Sequence, residues 1–264
     1  MENRQPFNYH THTYRCGHAS MEEDEEYILA AIEAGFKQIG ISDHGPFRQF
    51  SKKTDRMDYE ELDEYLESIY ALKEKYKDKI DVKVGCEFEY FDDNMDQIDA
   101  LKEKTEYLIL GQHYAYPDAG FDYCRGPNNP DTLYKYRDLV CAAMKTGKFL
   151  YLAHPDYFCG AIDCFDDVCK EITHDIARVA AETNTPLELN IKLRDRKPRH
   201  YKHGDYIMYP HRPFWEIVAQ YPVKCIYGFD AHDTDQLKRM ENYIDCDKIL
   251  ERLNLEFIKE PLLK

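Results

Sequence analysis

The sequence predicts an α/β fold of one domain, with a parallel sheet or barrel wrapped by helices. Three observations predict it. Short apolar runs that end in a polar residue recur along the chain, and segments of helical periodicity separate them. No repeat, low-complexity linker or composition break divides residues 1–264, so one continuous core is expected at a length that α/β barrels often reach as single domains.

The runs are Phe7 to Tyr9, Gln38 to Ser42, Val82 to Cys86, Tyr107 to Gly111, Phe149 to Ala153, Leu187 to Leu189 and Lys224 to Phe229. Seven strand-helix units are about what the length can hold. After the first run, Ser20 with Glu23 reads as a capping box, and Ile28, Ala31 and Ile32 form a stripe that stops at Gly35. The acids Glu22 to Glu26 then fall in the first helical turn, where they complement the helix dipole, so they read as a solvated helix start. A second helix is expected over about 58–77, where Leu62, Tyr65, Leu66, Ile69, Leu72 and Tyr76 recur at three- and four-residue steps. Residues Arg194 to Arg212, rich in Arg, Lys, His, Tyr and Pro without a clear period, read as a long loop.

Fifty acidic residues against 35 Lys and Arg give a formal charge of −15, which repels a nucleic-acid backbone at long range and argues for a small substrate captured locally. No window approaches the ~18 apolar residues of a membrane span. Nine cysteines, an odd number, occur without an N-terminal apolar signal, so a reducing cytoplasm is the expected location. Cys159, Cys164 and Cys169 lack a Cys-x-x-Cys pair and read as buried or half-buried free thiols, not as a zinc site.

A lone histidine is more often structural than ligating. Position changes that here: His10 and His12 follow the first run, His44 the second, Glu87 the third, His113 the fourth, His154 the fifth, and Asp230 with His232 the last. In barrels and open parallel sheets the carboxyl ends of strands are where side chains from different units converge. His10-Thr11-His12 and Asp230-Ala231-His232 each place two ligand types two residues apart, on one side of an extended segment. One such triplet would read as a polar surface strand; two favour a metal. Imidazole and carboxylate without thiolate suit Zn, Mn or Fe, with positions left for water and substrate. His174, His200, His203 and His211 lie in helix- or loop-like sequence and read as ordinary, although the last three share the long loop and could touch substrate.

The motif order is His-x-His-x5-His at His10, His12 and His18, Ser-Asp-His at Ser42 to His44, Gly-x-Glu at Gly85 to Glu87, Gly-x-His at Gly111 to His113, Ala-His-Pro at Ala153 to Pro155, and Asp-x-His at Asp230 to His232. It resembles the PHP family, named for its polymerase-associated and histidinol-phosphatase members. The resemblance implies a distorted (β/α)7 TIM-like barrel and three divalent metal ions. On that pattern His10, His12, Glu87 and Asp230 hold the first ion, Glu87 bridges to a second held by His113 and His154, and His18, His44 and His232 hold the third. Many members carry an acid where His18 stands.

A stand-alone chain of this length most resembles the bacterial histidinol phosphatases, which implies hydrolysis of L-histidinol phosphate, with Glu87, His10, His12 and Asp230 at the chemistry. The alternatives are a phosphoesterase for a nucleotide or sugar phosphate and a noncatalytic module that binds a phosphorylated ligand. The Leu-Asn-x-x-Gly-Leu-Arg pattern of histidinol phosphatases is altered to Leu189-Asn190-Ile191-Lys192-Leu193-Arg194. Arg194 is the first candidate to clamp phosphate, because a guanidinium holds two oxygens at once; Arg125 and His203 are further candidate substrate contacts.

Overall fold

The computed structural model describes residues 3–49, 51, 55–118, 120–193 and 197–264. Four strands, β1 (Phe7–Asn8), β2 (Gln38–Ile41), β3 (Asp81–Phe88) and β4 (Tyr107–Leu110), pair in chain order and in parallel. Their register sets Phe7 against Gln38, Gln38 against Asp81, and Gly85 against Tyr107. A second parallel group contains β5 (Leu187–Asn190), which pairs with β8 (Lys224–Gly228), which in turn pairs with β9 (Glu256–Phe257). Between them β6 (Arg199–Tyr201) and β7 (Gly204–Tyr206) form a small antiparallel hairpin.

Six of the seven expected runs are therefore strands. The fifth, Phe149 to Ala153, makes parallel bridges only at Leu152, to Leu110 on one side and Leu187 on the other. Its backbone still donates to Leu108 and Leu110 carbonyls, while Leu152 donates to the carbonyl of Pro186. Pro186 has no N–H to return, which keeps the fifth run from a regular ladder. The result is an α/β fold whose parallel sheet curls through Leu152 into the second group.

The curl turns back on β1 at a seam. Among the described residues β1 has a backbone ladder only with β2; toward β8, side-chain amides take over. Gln5 Nε2 donates to the carbonyls of Phe7 and Tyr227, Gln5 Oε1 accepts from Tyr227 N–H, and Asn8 Oδ1 accepts from Phe229 N–H. Beyond them a parallel bridge joins Thr11 to Ala231.

Strand alternation splits the apolar residues into two cores. Phe7, Tyr9, Tyr107, Ile109, Tyr151, Ala153 and Ile226 face inward and form one. Gly40 and Gly85 leave the room that the Tyr107 ring fills: a Cβ on either would meet that ring. Ile258, Leu262 and Leu263 pack under this cluster, and the N–H groups of Leu262 and Leu263 donate to Tyr9 Oη. The outward residues, among them Ile39, Ile41, Val84 and Leu108, pack against the helices.

Helix α1 spans Asp24–Glu33. Its capping box is Glu23 with Glu26, not Ser20 with Glu23, so the helix begins about three residues later than the sequence pattern predicts. Ser20 Oγ is instead 3.1 Å from Tyr27 Oη, and its hydroxyl also donates to Glu22. The stop holds: Gly35 takes φ 79°, the left-handed conformation that glycine adopts without strain. Helix α2 (Leu62–Tyr76) buries the six residues of its expected stripe, and a 3₁₀ turn at Tyr59–Glu61 precedes it. Helices α3 (Met95–Lys104), α4 (Pro130–Thr146), α5 (Asp167–Thr183), α6 (Arg212–Val218) and α7 (Glu241–Ile249) complete the outer layer. The stretch read as a long loop holds the β6–β7 hairpin, turned at Lys202 and His203, with Gly204 opening β7 at φ 132°. All nine cysteines are free; Cys159 and Cys169 are buried and Cys164 is half-buried.

Candidate metal centre

Because the strands of the curled sheet run parallel, their carboxyl ends share one rim, and each loop that leaves them brings a polar side chain to it. His10 and His12 leave β1, His44 leaves β2, Glu87 closes β3, His113 leaves β4, His154 follows the Leu152 bridge, and Asp230 with His232 leaves β8. His18 arrives by a 3₁₀ turn, Tyr14–Cys16, that ends at Gly17 with φ 77°.

Glu87 is the hub. It is 1% exposed, and its Oε2 lies 3.2 Å from His10 Nε2, 3.4 Å from His12 Nε2 and 3.2 Å from His44 Nδ1. Its Oε1 lies 2.8 Å from His154 Nε2 and 3.4 Å from His113 Nε2. Asp230 Oδ1 is 3.2 Å from His12 Nε2 and 3.7 Å from His10 Nε2. On the far side His18 Nε2 and His232 Nε2 are 2.8 Å apart. Ligand atoms of His10, His12 and Asp230 gather within 4.8 Å of one another, and so do those of His18, His44 and His232, of His10, Glu87 and His154, and of His12, His44 and Glu87. His113 joins through Glu87, its ring 4.9 Å from that of His154. All nine residues expected from the sequence thus meet at one place. A further set, His12, Cys16 and His232, brings in a thiol, but burial pushes the Cys16 pKa up, which opposes its ligating thiolate form.

Do these residues fit a metal? His10 Nε2, His12 Nε2, His44 Nδ1 and Glu87 Oε2 are buried and make no hydrogen bond. Leaving such atoms unpaired costs about 1–3 kcal/mol each, so a cluster of them needs a partner. A divalent cation among imidazoles and carboxylates is the partner that this chemistry fits.

A layer of groups behind the cluster fixes the rings, and here the sequence reading fell short. Glu188 Oε2 stands 2.7 Å from His10 Nδ1, Asp43 Oδ1 3.4 Å from His12 Nδ1, and Glu89 Oε1 2.9 Å from His113 Nδ1. Carboxylates accept, so each selects the Nδ1–H tautomer and leaves the Nε2 lone pair facing inward. Arg56 holds Glu89 by two bonds of 2.9 and 2.7 Å, donates to the Gly45 carbonyl, and lies over the Phe47 ring. Asn190 Nδ2 donates to Glu188 and Asp230. A signal for Glu188 existed: it is an acid between two leucines of an apolar run, and the structure buries all of that run, Glu188 included.

The backbone makes room for these acids. A Cβ on Gly111 would fall on the Glu87 carboxylate, and one on Gly228 would fall on that of Glu188. His154 and Asp230 adopt φ of 28° and 47°, strain of about 1–3 kcal/mol each of the kind that concentrates at functional sites. Electrostatics follow the packing. Burial opposes charge on His10, but Glu188, Glu87 and Asp230 overcome it and hold its pKa well above the usual imidazole range. Burial likewise opposes charge on Glu87, yet His10, His113 and His44 hold its pKa well below the usual carboxylate range. His44 is lowered by burial, with His12, His113 and His18 adding to it against Glu87.

The cluster forms the floor of a cavity of about 390 Å³, whose walls include Arg56, Tyr114, Asp122, Arg125, Tyr157, Lys192 and Tyr209. Arg125 stands on this wall, 65% exposed, with its Nε 3.3 Å from Asp122. Arg194 lies outside the described residues. His203 is not part of the lining: its ring stacks on Tyr206, and its Nδ1 accepts from the Phe165 N–H, so it ties the hairpin to the segment before α5. His200 pairs with Asp205 in solvent, and His211 is fully buried.

A model of the PHP domain matches residues 8–192. The chain belongs to the PHP family. Curated PHP relatives include the protein of Deinococcus radiodurans named "Probable histidinol-phosphatase", 26% identical over 160 residues, which is 56% of this chain and 59% of that protein. Histidinol-phosphatase of Bacillus subtilis is 26% identical over 121 residues, 42% of this chain and 45% of the relative. The chain thus spans about half the length of the curated relatives it matches. The crystal structure of histidinol phosphate phosphatase from Lactococcus lactis, complexed with zinc, L-histidinol and phosphate, superposes with a TM-score of 0.68. The identity is 17%, and the match covers 96% of this PHP chain and 95% of that one. The last two of the nine cluster residues, Asp230 and His232, lie beyond the matched PHP segment and enter the site through the seam with β1.

Proposed function

We propose that the chain is a metal-dependent phosphomonoester hydrolase with L-histidinol phosphate as its substrate. The observation that carries the reading is the buried cluster of unpartnered imidazole and carboxylate atoms around Glu87, at the base of an open cavity with cationic wall residues. The names of the relatives supply the choice of substrate. The curled sheet is read as a distorted (β/α)7 barrel, with the Phe149 to Ala153 run as its fifth member.

In this reading His10, His12, Glu87 and Asp230 hold one ion, Glu87 with His113 and His154 a second, and His18, His44 and His232 a third. When bound, divalent ions supply Lewis-acid polarisation of a phosphoryl group and acidify water toward neutral pH. The protein's own part is placement. Glu87 sets the spacing of the ligand sets from one carboxylate, and Glu188, Asp43 and Glu89 keep three imidazoles in the ligating tautomer. Arg125, on the cavity wall, is proposed to take the phosphate with its two-pronged donor, and Tyr157 and Tyr209 line the same cavity, where the leaving group would lie. Arg194 is proposed as a second phosphate clamp on the basis of the sequence pattern.

The test is a substrate panel at fixed enzyme and Mn or Zn: L-histidinol phosphate, a nucleoside monophosphate, a sugar phosphate and an aryl phosphate. Release of phosphate should be fastest from L-histidinol phosphate and be abolished by chelator and by Glu87→Ala. Equal rates across the panel would sink the substrate assignment, and a fully metallated but inert protein would sink the hydrolase.

A further inference from the structure

The cationic side chains of the cavity wall are not equivalent. Arg56 is committed to Glu89 and the Gly45 carbonyl, and Arg125 sits at the open rim beside Asp122. Lys192 reaches into the cluster itself: its Nζ is 2.7 Å from His232 Nδ1 and 3.3 Å from Asp230 Oδ1.

An ammonium has three donors and no acceptor, so a hydrogen bond from Lys192 requires a lone pair on His232 Nδ1. That places the single proton of the neutral ring on Nε2. The other groups at His232 Nδ1 are acceptors and require the opposite tautomer: the backbone carbonyl of Asp230 at 2.9 Å and Asp230 Oδ1 at 3.2 Å. The two demands exclude one another. His18 turns this competition into a choice about the cation. Its Nδ1 is 3.0 Å from the Cys16 carbonyl; it donates there and presents a lone pair at Nε2, 2.8 Å from His232 Nε2. With Lys192 engaged, His232 Nε2–H donates to His18 Nε2, and the lone pairs that a cation needs from both rings are consumed. With Lys192 withdrawn, His232 Nδ1–H turns to Asp230, and two lone pairs face each other across a gap that a cation relieves. Elsewhere in the cluster the groups behind the rings do the reverse: Glu188, Asp43 and Glu89 are carboxylates that select the ligating tautomer of His10, His12 and His113.

We propose that Lys192 sets the occupancy of the position formed by His18, His44 and His232, making it the weak, exchangeable one of the three. The proposal rests on the reading of the cluster as a metal centre. Its consequence is a centre that keeps two ions at low metal concentration and admits the third only where free metal is plentiful or another anion draws the ammonium away. Lys192 is a positioning residue in this role, since it acts on the ion through His232.

Metal binding by the full chain, measured by equilibrium dialysis with Mn or Zn and by metal content per chain, tests it. The wild type should take up two equivalents tightly and a third at least tenfold more weakly. Lys192→Met should tighten the third at least tenfold and leave the first two in place, whereas Lys192→Arg should keep it weak. His232→Ala should remove the third event and so identify the position. If Lys192→Met lowers the melting temperature markedly, Lys192→Leu, which also lacks a donor, is used with the same expectation. A third equivalent equally weak in the wild type and in the uncharged variant overturns the proposal, as do three equally tight equivalents in the wild type. Failure of the wild type to bind any metal is a separate outcome and overturns the metal-centre reading beneath it.

Discussion

Arg56 and Glu89 are each 1% exposed, and Arg56→Met leaves the Glu89 carboxylate buried without its cationic partner. Breaking a buried ion pair from one side costs about 3–5 kcal/mol. In a chain of this length, with roughly 2–4 °C of melting temperature per kcal/mol, the expected fall is about 6–20 °C. Methionine keeps much of the apolar stem and removes the guanidinium, which lies 4.2 Å from the centroid of the Phe47 ring as well as on Glu89, so the loss reports the charge more than the packing. Burial pushes the Glu89 pKa up, and Arg56 followed by His113 brings it below the usual carboxylate range. Without Arg56 the carboxyl takes up a proton more readily, so the deficit should be largest near pH 8 and shrink toward pH 5. The double variant Arg56→Met/Glu89→Gln carries neither charge and should recover part of the loss. Urea unfolding of the three proteins at both pH values, with chelator present, is the assay. A single variant within about 1 kcal/mol of wild type at pH 8, or a double variant no more stable than the single, refutes the reasoning.

Glu188→Gln weakens the acceptor that holds His10 in its ligating tautomer, and metal affinity measured by chelator competition should fall about 10–100-fold; a change under about threefold contradicts the role. Burial lowers the His211 pKa to about 4, with the Ile207 carbonyl opposing and His203 adding. From pH 6.5 down to 4 the unfolded chain binds a proton that the folded chain refuses, so stability is lost as pH falls through that window, by about 3 kcal/mol in all. His211→Phe should flatten that part of the profile in urea midpoints taken at pH 7 and 4.5, and an unchanged slope would assign the acid loss elsewhere.

Much of the site was legible because metal ligation restricts residue type and the parallel strands restrict position. His10, His44, Glu87 and His154 could be ranked from their place after an apolar run, without any contact being known. The groups behind them could not. Asp43 and Glu89 look like ordinary acids near a strand end, and Arg56 comes from a segment with no periodicity, so only the folded chain shows that it ends on His113 through Glu89. Helix α1 starts at the second of two overlapping boxes although Ser20 is the better N-cap residue by propensity, because the Ser20 N–H is taken by the His232 carbonyl and its hydroxyl by Glu22, contacts that local sequence does not show. The fifth run reads as a strand by composition, but its partner Pro186 lacks the N–H that a ladder requires.

The seam between β1 and β8 has a thermodynamic consequence. His10 and His12 stand on one side of it, Asp230 and His232 on the other, and the strands below are joined by the amides of Gln5 and Asn8. An ion shared by His10, His12 and Asp230 is then a cross-link between the two ends of the sheet, closing a loop of over two hundred residues. Its binding free energy adds to folding as RT ln(1 + [L]/Kd), about 4 kcal/mol at a thousandfold excess over Kd. Stripping the metal should therefore loosen the molecule along this line first, with amide exchange rising at Tyr227 and Phe229 while the ladder between β2 and β3 stays protected. The chemistry and the closure of the ring would share one set of ligands.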